Sequence, residues 1–132
     1  MKNIVKIALF ALVFTSSQAF ARTKDDKATL KSRQIVENAT PDDWKALADA
    51  AAICVAQKTN LTQASEWLTK SLSIKESAYN LEIKGDYLLL SNQPTEAIAV
   101  YIKAMQSGLN LEKGFEVKNL QEKIAALRAA KN

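Results

Sequence analysis

The chain has 132 residues, with 18 Lys plus Arg against 14 Asp plus Glu, no His, one Cys and 48% hydrophobic residues. One domain is the size to expect; the missing His removes His triads, His general bases and His-ligated metal sites, and a single Cys removes an intramolecular disulfide and Cys-rich zinc sites. Three Gly and two Pro are few for a loop-rich β fold and point to an all-α chain.

Residues 1–21 read as a secretory signal peptide. Lys2 and Lys6 form its positive start, Ile7 to Phe14 is an unbroken apolar run, and Ala19-Phe20-Ala21 places small residues where signal peptidase needs them. Cleavage is expected after Ala21. The apolar run is too short for a membrane span, which takes about 20 residues. Cleavage removes Lys2 and Lys6 and no acid, taking the net charge from +4 to +2. The mature protein is then expected to be periplasmic or secreted, with no membrane span. Nothing strongly basic remains to suggest nucleic acid. Cys54 is expected as a buried core residue, the alternative being an intermolecular disulfide.

Residues 22–38 are polar, with only Leu30, Ile35 and Val36 as large apolar positions. They are expected to form a flexible or loosely helical arm. A helical domain is expected over residues 39–132, in five segments. The first runs from Pro41 to Gln57, with Thr40 as N-cap, Pro41 at the first helical position and Asp42 and Asp43 facing the positive helix end. Trp44, Leu47, Ala48, Ala51, Ala52 and Val55 make its apolar face. The second runs from Leu61 to Ile74 behind Asn60 as cap, and the third from Glu76 to Leu90 behind a Ser73–Glu76 capping-box spacing. The fourth runs from Pro94 to Gln106, with Gly108 as its C-terminal stop. The fifth runs from about Glu116 to Ala130, with Val117, Leu120, Ile124 and Leu127 on one face and its Lys and Arg residues expected outside.

Short loops between these segments predict antiparallel helix pairs. The pairs repeat at an offset of 33: Ala64 falls over Ala97, Leu68 over Tyr101, Ser71 over Ala104, Ala52 over Gly85 and Val55 over Leu88. Small residues meet small ones and large meet large, as close helix crossings require. These positions resemble the tetratricopeptide repeat, whose period is about 34. Gly85 and Ala52 match the small residue of its first helix, Ala64 and Ala97 the Ala opening its second, and Leu68 and Tyr101 the bulky position after it. Residues 92–105 match best, and the resemblance covers 41–107. The sequence departs from the pattern at Lys84 and Ala48, where a large apolar residue is usual, and at Glu76 and Leu109, where Pro is usual. Residues 64–77 and 79–86 are also similar to helical tails on some secreted bacterial proteins of unknown function.

The resemblance implies an all-α superhelix of tetratricopeptide-like hairpins, about two and a half repeats with the fifth helix as a C-terminal cap. It also implies a protein–protein interaction module without catalytic activity or cofactor. First helices line the groove in this family. That puts Ala46, Asp49, Ile53 and Ala56 in the first pair, and Tyr79, Glu82, Asp86 and Leu89 in the second, against the partner. The expected partner-binding set is Asp49, Ile53, Tyr79, Glu82, Asp86 and Leu89: apolar positions with three acids, suited to a hydrophobic protein or peptide segment carrying a basic residue. The alternative is a structural homodimer stacking its repeats through Val117, Leu120, Ile124 and Leu127.

Paired carboxylates at Asp42 and Asp43 or at Glu82 and Asp86 are read as helix caps and solvated faces rather than catalytic or metal sites. Trp67 and Tyr101 are read as core. The sequons at Asn38 and Asn60 are read as helix-start sequences.

Overall fold

The computed structural model describes residues 25–130, so the leader and its cleavage after Ala21 lie outside the described residues. Within them the secondary structure is all-α. The helices are α1 (Lys27–Asn38), α2 (Trp44–Gln57), α3 (Leu61–Ile74), α4 (Ala78–Leu90), α5 (Pro94–Leu111) and α6 (Lys118–Ala129). None of these helices is long and apolar enough to cross a membrane.

The polar segment 22–38 contains a defined helix, α1. Asp26 caps it, accepting a hydrogen bond from the Thr29 backbone N–H at 2.9 Å. Its innermost residues are hydroxyls, Thr29 and Ser32, while Ile35 and Val36 pack against the core beneath α2. Arg33 donates from Nε to Gln63 Oε1 at 2.9 Å, tying α1 to α3. Packing on α2, rather than a strong apolar stripe of its own, sustains this helix.

The helix starts differ from the sequence reading in three places, one being α6, which begins at Lys118 rather than Glu116. Thr40 to Asp43 form a turn, with Asp43 N–H donating to Thr40 O at 3.0 Å and Trp44 N–H to Asp42 O at 2.8 Å. The cap of α2 is therefore Asp43, whose carboxylate accepts from Ala46 N–H at 2.9 Å, and Pro41 lies ahead of the helix. Likewise α4 begins at Ala78. Its capping box is Ser77 with Asn80, not Ser73 with Glu76: Ser77 N–H donates to Asn80 Oδ1 at 2.9 Å and Asn80 N–H to Ser77 Oγ at 3.3 Å. At α3 the cap is Asn60, in left-handed backbone at φ 46. Its amide donates to Gln63 Oε1 at 2.7 Å rather than accepting from the helix backbone.

Gly108 does not end α5. The helix continues to Leu111, and Gly108 is buried where a Cβ would lie 2.5 Å from Phe115 Cγ. The missing side chain admits the Phe115 ring. Gly114, at φ 78, turns the chain towards α6.

Three-residue loops join α2 to α3, α3 to α4 and α4 to α5. The helices pack as α1 on α2, α2 on α3 and α4 on α5; α4 also touches both α2 and α3, and α6 packs on α5. Two apolar cores result. One gathers Leu47, Ala51, Cys54, Trp67 and Leu68 with Ile83. The other gathers Leu81, Leu88, Ala97, Tyr101, Leu120 and Ile124. Three of the offset pairs, Ala64 with Ala97, Leu68 with Tyr101 and Ser71 with Ala104, are wholly buried at both members. A Cβ on Gly85 would meet Tyr101 Cδ1 at 2.6 Å and Cζ at 2.9 Å, so this small position is what lets the Tyr101 ring in.

Cys54 is buried, and its Sγ donates to Ser32 Oγ at 3.3 Å. A buried polar knot joins the hairpins. Asn80 Nδ2 donates to Ser71 Oγ at 3.0 Å and to Lys75 O at 2.7 Å, and Ser71 Oγ donates to Trp44 O at 2.7 Å. Among the described residues no buried side-chain nitrogen or oxygen lacks a partner, as a stable interior requires. The α6 stripe turns inward rather than outward, with Leu120 and Ile124 buried and Leu127 packed against the second core.

Candidate interaction surface

A cleft of about 410 Å³ opens between α2 and α4. Ala52, Val55 and Ala56 form the α2 wall; Ile83, Leu89, Leu90 and the Asp86 carboxylate form the α4 wall. Short side chains on α2 leave the gap, since Ala52 and Ala56 carry only a methyl each. The lining is aliphatic except for Asp86, which suits an apolar side chain with a positive group beside it.

The six sequence-predicted residues divide among three places. Asp86 and Leu89 line this cleft. Asp49 and Tyr79 meet each other, the Tyr79 hydroxyl donating to Asp49 Oδ1 at 2.6 Å. Lys45 pairs with Asp49 at 2.9 Å and lies 5.1 Å from the Tyr79 ring centroid. Tyr79 thus sits at a separate cleft of about 250 Å³ that includes Trp44, Lys75 and Leu111. Glu82 faces α6, accepting from Asn119 Nδ2 at 2.7 Å and from Lys123 Nζ at 2.8 Å. Ile53 is partly buried and lines neither cleft.

The acids expected to await a basic partner already hold cations of this chain. Asp49 has Lys45, and Glu82 and Asp86 share Lys123, which lies 2.7 and 3.0 Å from the two Asp86 oxygens. Asp86 also accepts from the Tyr101 hydroxyl at 2.5 Å, so its carboxylate anchors a core ring as well as lining the cleft. Burial first, then the bonds and charges of Asp86 and Glu82, push the Tyr101 phenol well above its ordinary pKa. At Tyr79 burial and the Asp49 bond push the phenol up to about 12. For Lys123 burial works downward, but its hydrogen bonds to Asp86 and Glu82 outweigh it and hold the ammonium above the usual lysine value.

Sequence reasoning missed Ala52, Val55, Ile83 and Leu90 as cleft walls, and Lys123 and Asn119 as partners of the acids. One signal for Lys123 was available: it shares the helical face of Leu120, Ile124 and Leu127, so a charged side chain there is aimed inward.

A third depression, of about 650 Å³, runs along the α3 surface past Thr62, Ser65, Thr69 and Ser73 to Tyr87. The Thr69 and Ser73 hydroxyls donate to the carbonyls of Ser65 and Lys70 in their own helix, which leaves those protons committed. Among the described residues no three His, Cys, Asp or Glu side chains gather as a metal site. No protein family matches the chain, and comparison with curated proteins and with solved structures returns no match.

Proposed function

We propose that the chain is an exported, tetratricopeptide-like protein–protein interaction module without catalytic activity, holding a partner segment in the α2–α4 cleft. The observation that carries this reading is the cleft itself: about 410 Å³, aliphatic walls, one carboxylate. It accommodates an aliphatic side chain of the partner, whose burial contributes about 2–3 kcal/mol. The repeat offset supports the architecture, because four of its five paired positions are buried at both members, and so does the packing of the two hairpins through their first helices, α2 and α4. Export rests on the residue pattern of 1–21.

The test is peptide selection from a random library against the mature chain, repeated with Ala56→Trp. Ala56 is exposed, so the indole fills the cleft without entering the core. Selected peptides should lose at least about tenfold in affinity, the loss of one anchoring side chain, with the thermal melt unchanged. Undiminished binding to Ala56→Trp refutes the cleft as the binding site.

A further inference from the structure

The ammonium of Lys123 fills a small cation cage on the rim of the cleft. It lies 2.8 Å from Glu82 Oε1 and 2.7 Å from Asp86 Oδ1, and 5.4 Å from the Tyr101 ring centroid. Two carboxylates and an aromatic face are a complete set of cation-binding groups. Two carboxylates also face one ammonium, so the cluster keeps a net charge of about −1. The three charged side chains stay open to solvent, with Lys123 at 29%, Glu82 at 26% and Asp86 at 36% exposure. Asp86 belongs to the cage and to the cleft wall alike.

The helix that delivers Lys123 is lightly attached. α6 follows a segment turned at Gly114, where a Cβ would meet nothing within 4 Å, and only Leu120 and Ile124 of α6 are buried. All three side chains are about one-quarter to one-third exposed, so water can take up this ammonium when another cation replaces it on the two carboxylates.

We infer that Lys123 is an internal stand-in for a basic side chain of the partner, and that the cleft takes a segment in which Lys or Arg adjoins an aliphatic residue. The inference rests on the cleft reading above and names its partner's chemistry. The aliphatic side chain enters between Ala52 and Leu89, and the neighbouring cation displaces Lys123 from Asp86 and Glu82. Arg suits the cage better than Lys, because a guanidinium spans two carboxylates with fixed donors. α6 therefore tunes affinity by competing from within the chain.

The same peptide selection tests this on the full mature chain and on Lys123→Gln. Enriched peptides should carry Lys or Arg beside Leu, Ile or Val, and a selected basic peptide should bind Lys123→Gln about fivefold tighter. Added Glu82→Gln should reverse that gain while leaving the Tyr101–Asp86 bond in place. Peptides without a basic residue, or equal affinity for both chains, overturn the exchange while the Ala56→Trp result still upholds the cleft. Binding that Ala56→Trp does not weaken overturns the cleft reading instead. If Lys123→Gln unfolds, the Lys123 side-chain NMR signal in the unaltered protein provides the readout. It should shift on binding a basic peptide, and an unmoved signal overturns the exchange.

Discussion

Gly85→Ala pits helix propensity against packing. In an exposed helix this change stabilises by about 1 kcal/mol. Here the new methyl would lie 2.6 Å from Tyr101 Cδ1 and 2.9 Å from Cζ, so the ring must retreat towards an ordinary contact of at least 3.4 Å. Tyr101 is wholly buried and its hydroxyl is held 2.5 Å from Asp86, which leaves no free direction. Overpacking costs about 1–3 kcal/mol, and a weakened bond to a charged acceptor about 1.5–3 more. After the propensity gain the net loss is about 1.5–5 kcal/mol. For a domain of this size that lowers Tm by roughly 5–20 °C, measured by circular dichroism melts. The decisive variant adds Tyr101→Leu, reproducing the pair at the matching positions Ala52 and Leu68. The two changes should couple favourably by at least about 1.5 kcal/mol. A Gly85→Ala protein that melts higher, or two costs that simply add, would refute the close-approach argument.

Asn80→Ala should cost about 2–4 kcal/mol in urea unfolding, because it strands the buried Ser77 N–H and the part-buried Lys75 carbonyl; a loss below about 0.5 kcal/mol would contradict that role. Stability should also fall as pH rises from about 10 towards 12. Tyr79 has its folded pKa pushed to about 12, and Tyr101 and Lys123 are also raised. Raised folded values give stability that is full below the unfolded pKa of about 10 and lost on passing upward through the folded one. Melts across that range check this, with phenolate absorbance following the tyrosines.

Much of the helical layout is legible because it depends on local signals. Pro94 opens α5 and Leu61 opens α3 as their flanking residues predict. The starts of α2 and α4 are not legible, because several residues compete for each cap and the turn at Thr40 and the buried amide of Asn80 decide between them. Periodicity counts apolar residues, so α1 reads as a flexible or loosely helical arm, whereas it buries Thr29 and Ser32. Gly108 reads as a stop because sequence does not reveal that Phe115 needs the room. At the candidate site the sequence puts Glu82 and Asp86 one helical turn apart, but the cation they share lies 37 residues beyond Asp86. A pairing at that range is decided by tertiary packing, and no local rule reaches it.

Among the described residues α4 alone has buried side chains in both apolar cores, giving Ile83 to one and Leu81 and Leu88 to the other. In a stacked helical array, cooperativity is carried by the interfaces between neighbours. Here that burden falls on a single helix flanked by three-residue loops. While α4 is held, the two halves melt as one unit. Trimming Ile83 would separate them, and the calorimetric enthalpy would then exceed the van't Hoff value as one transition became two.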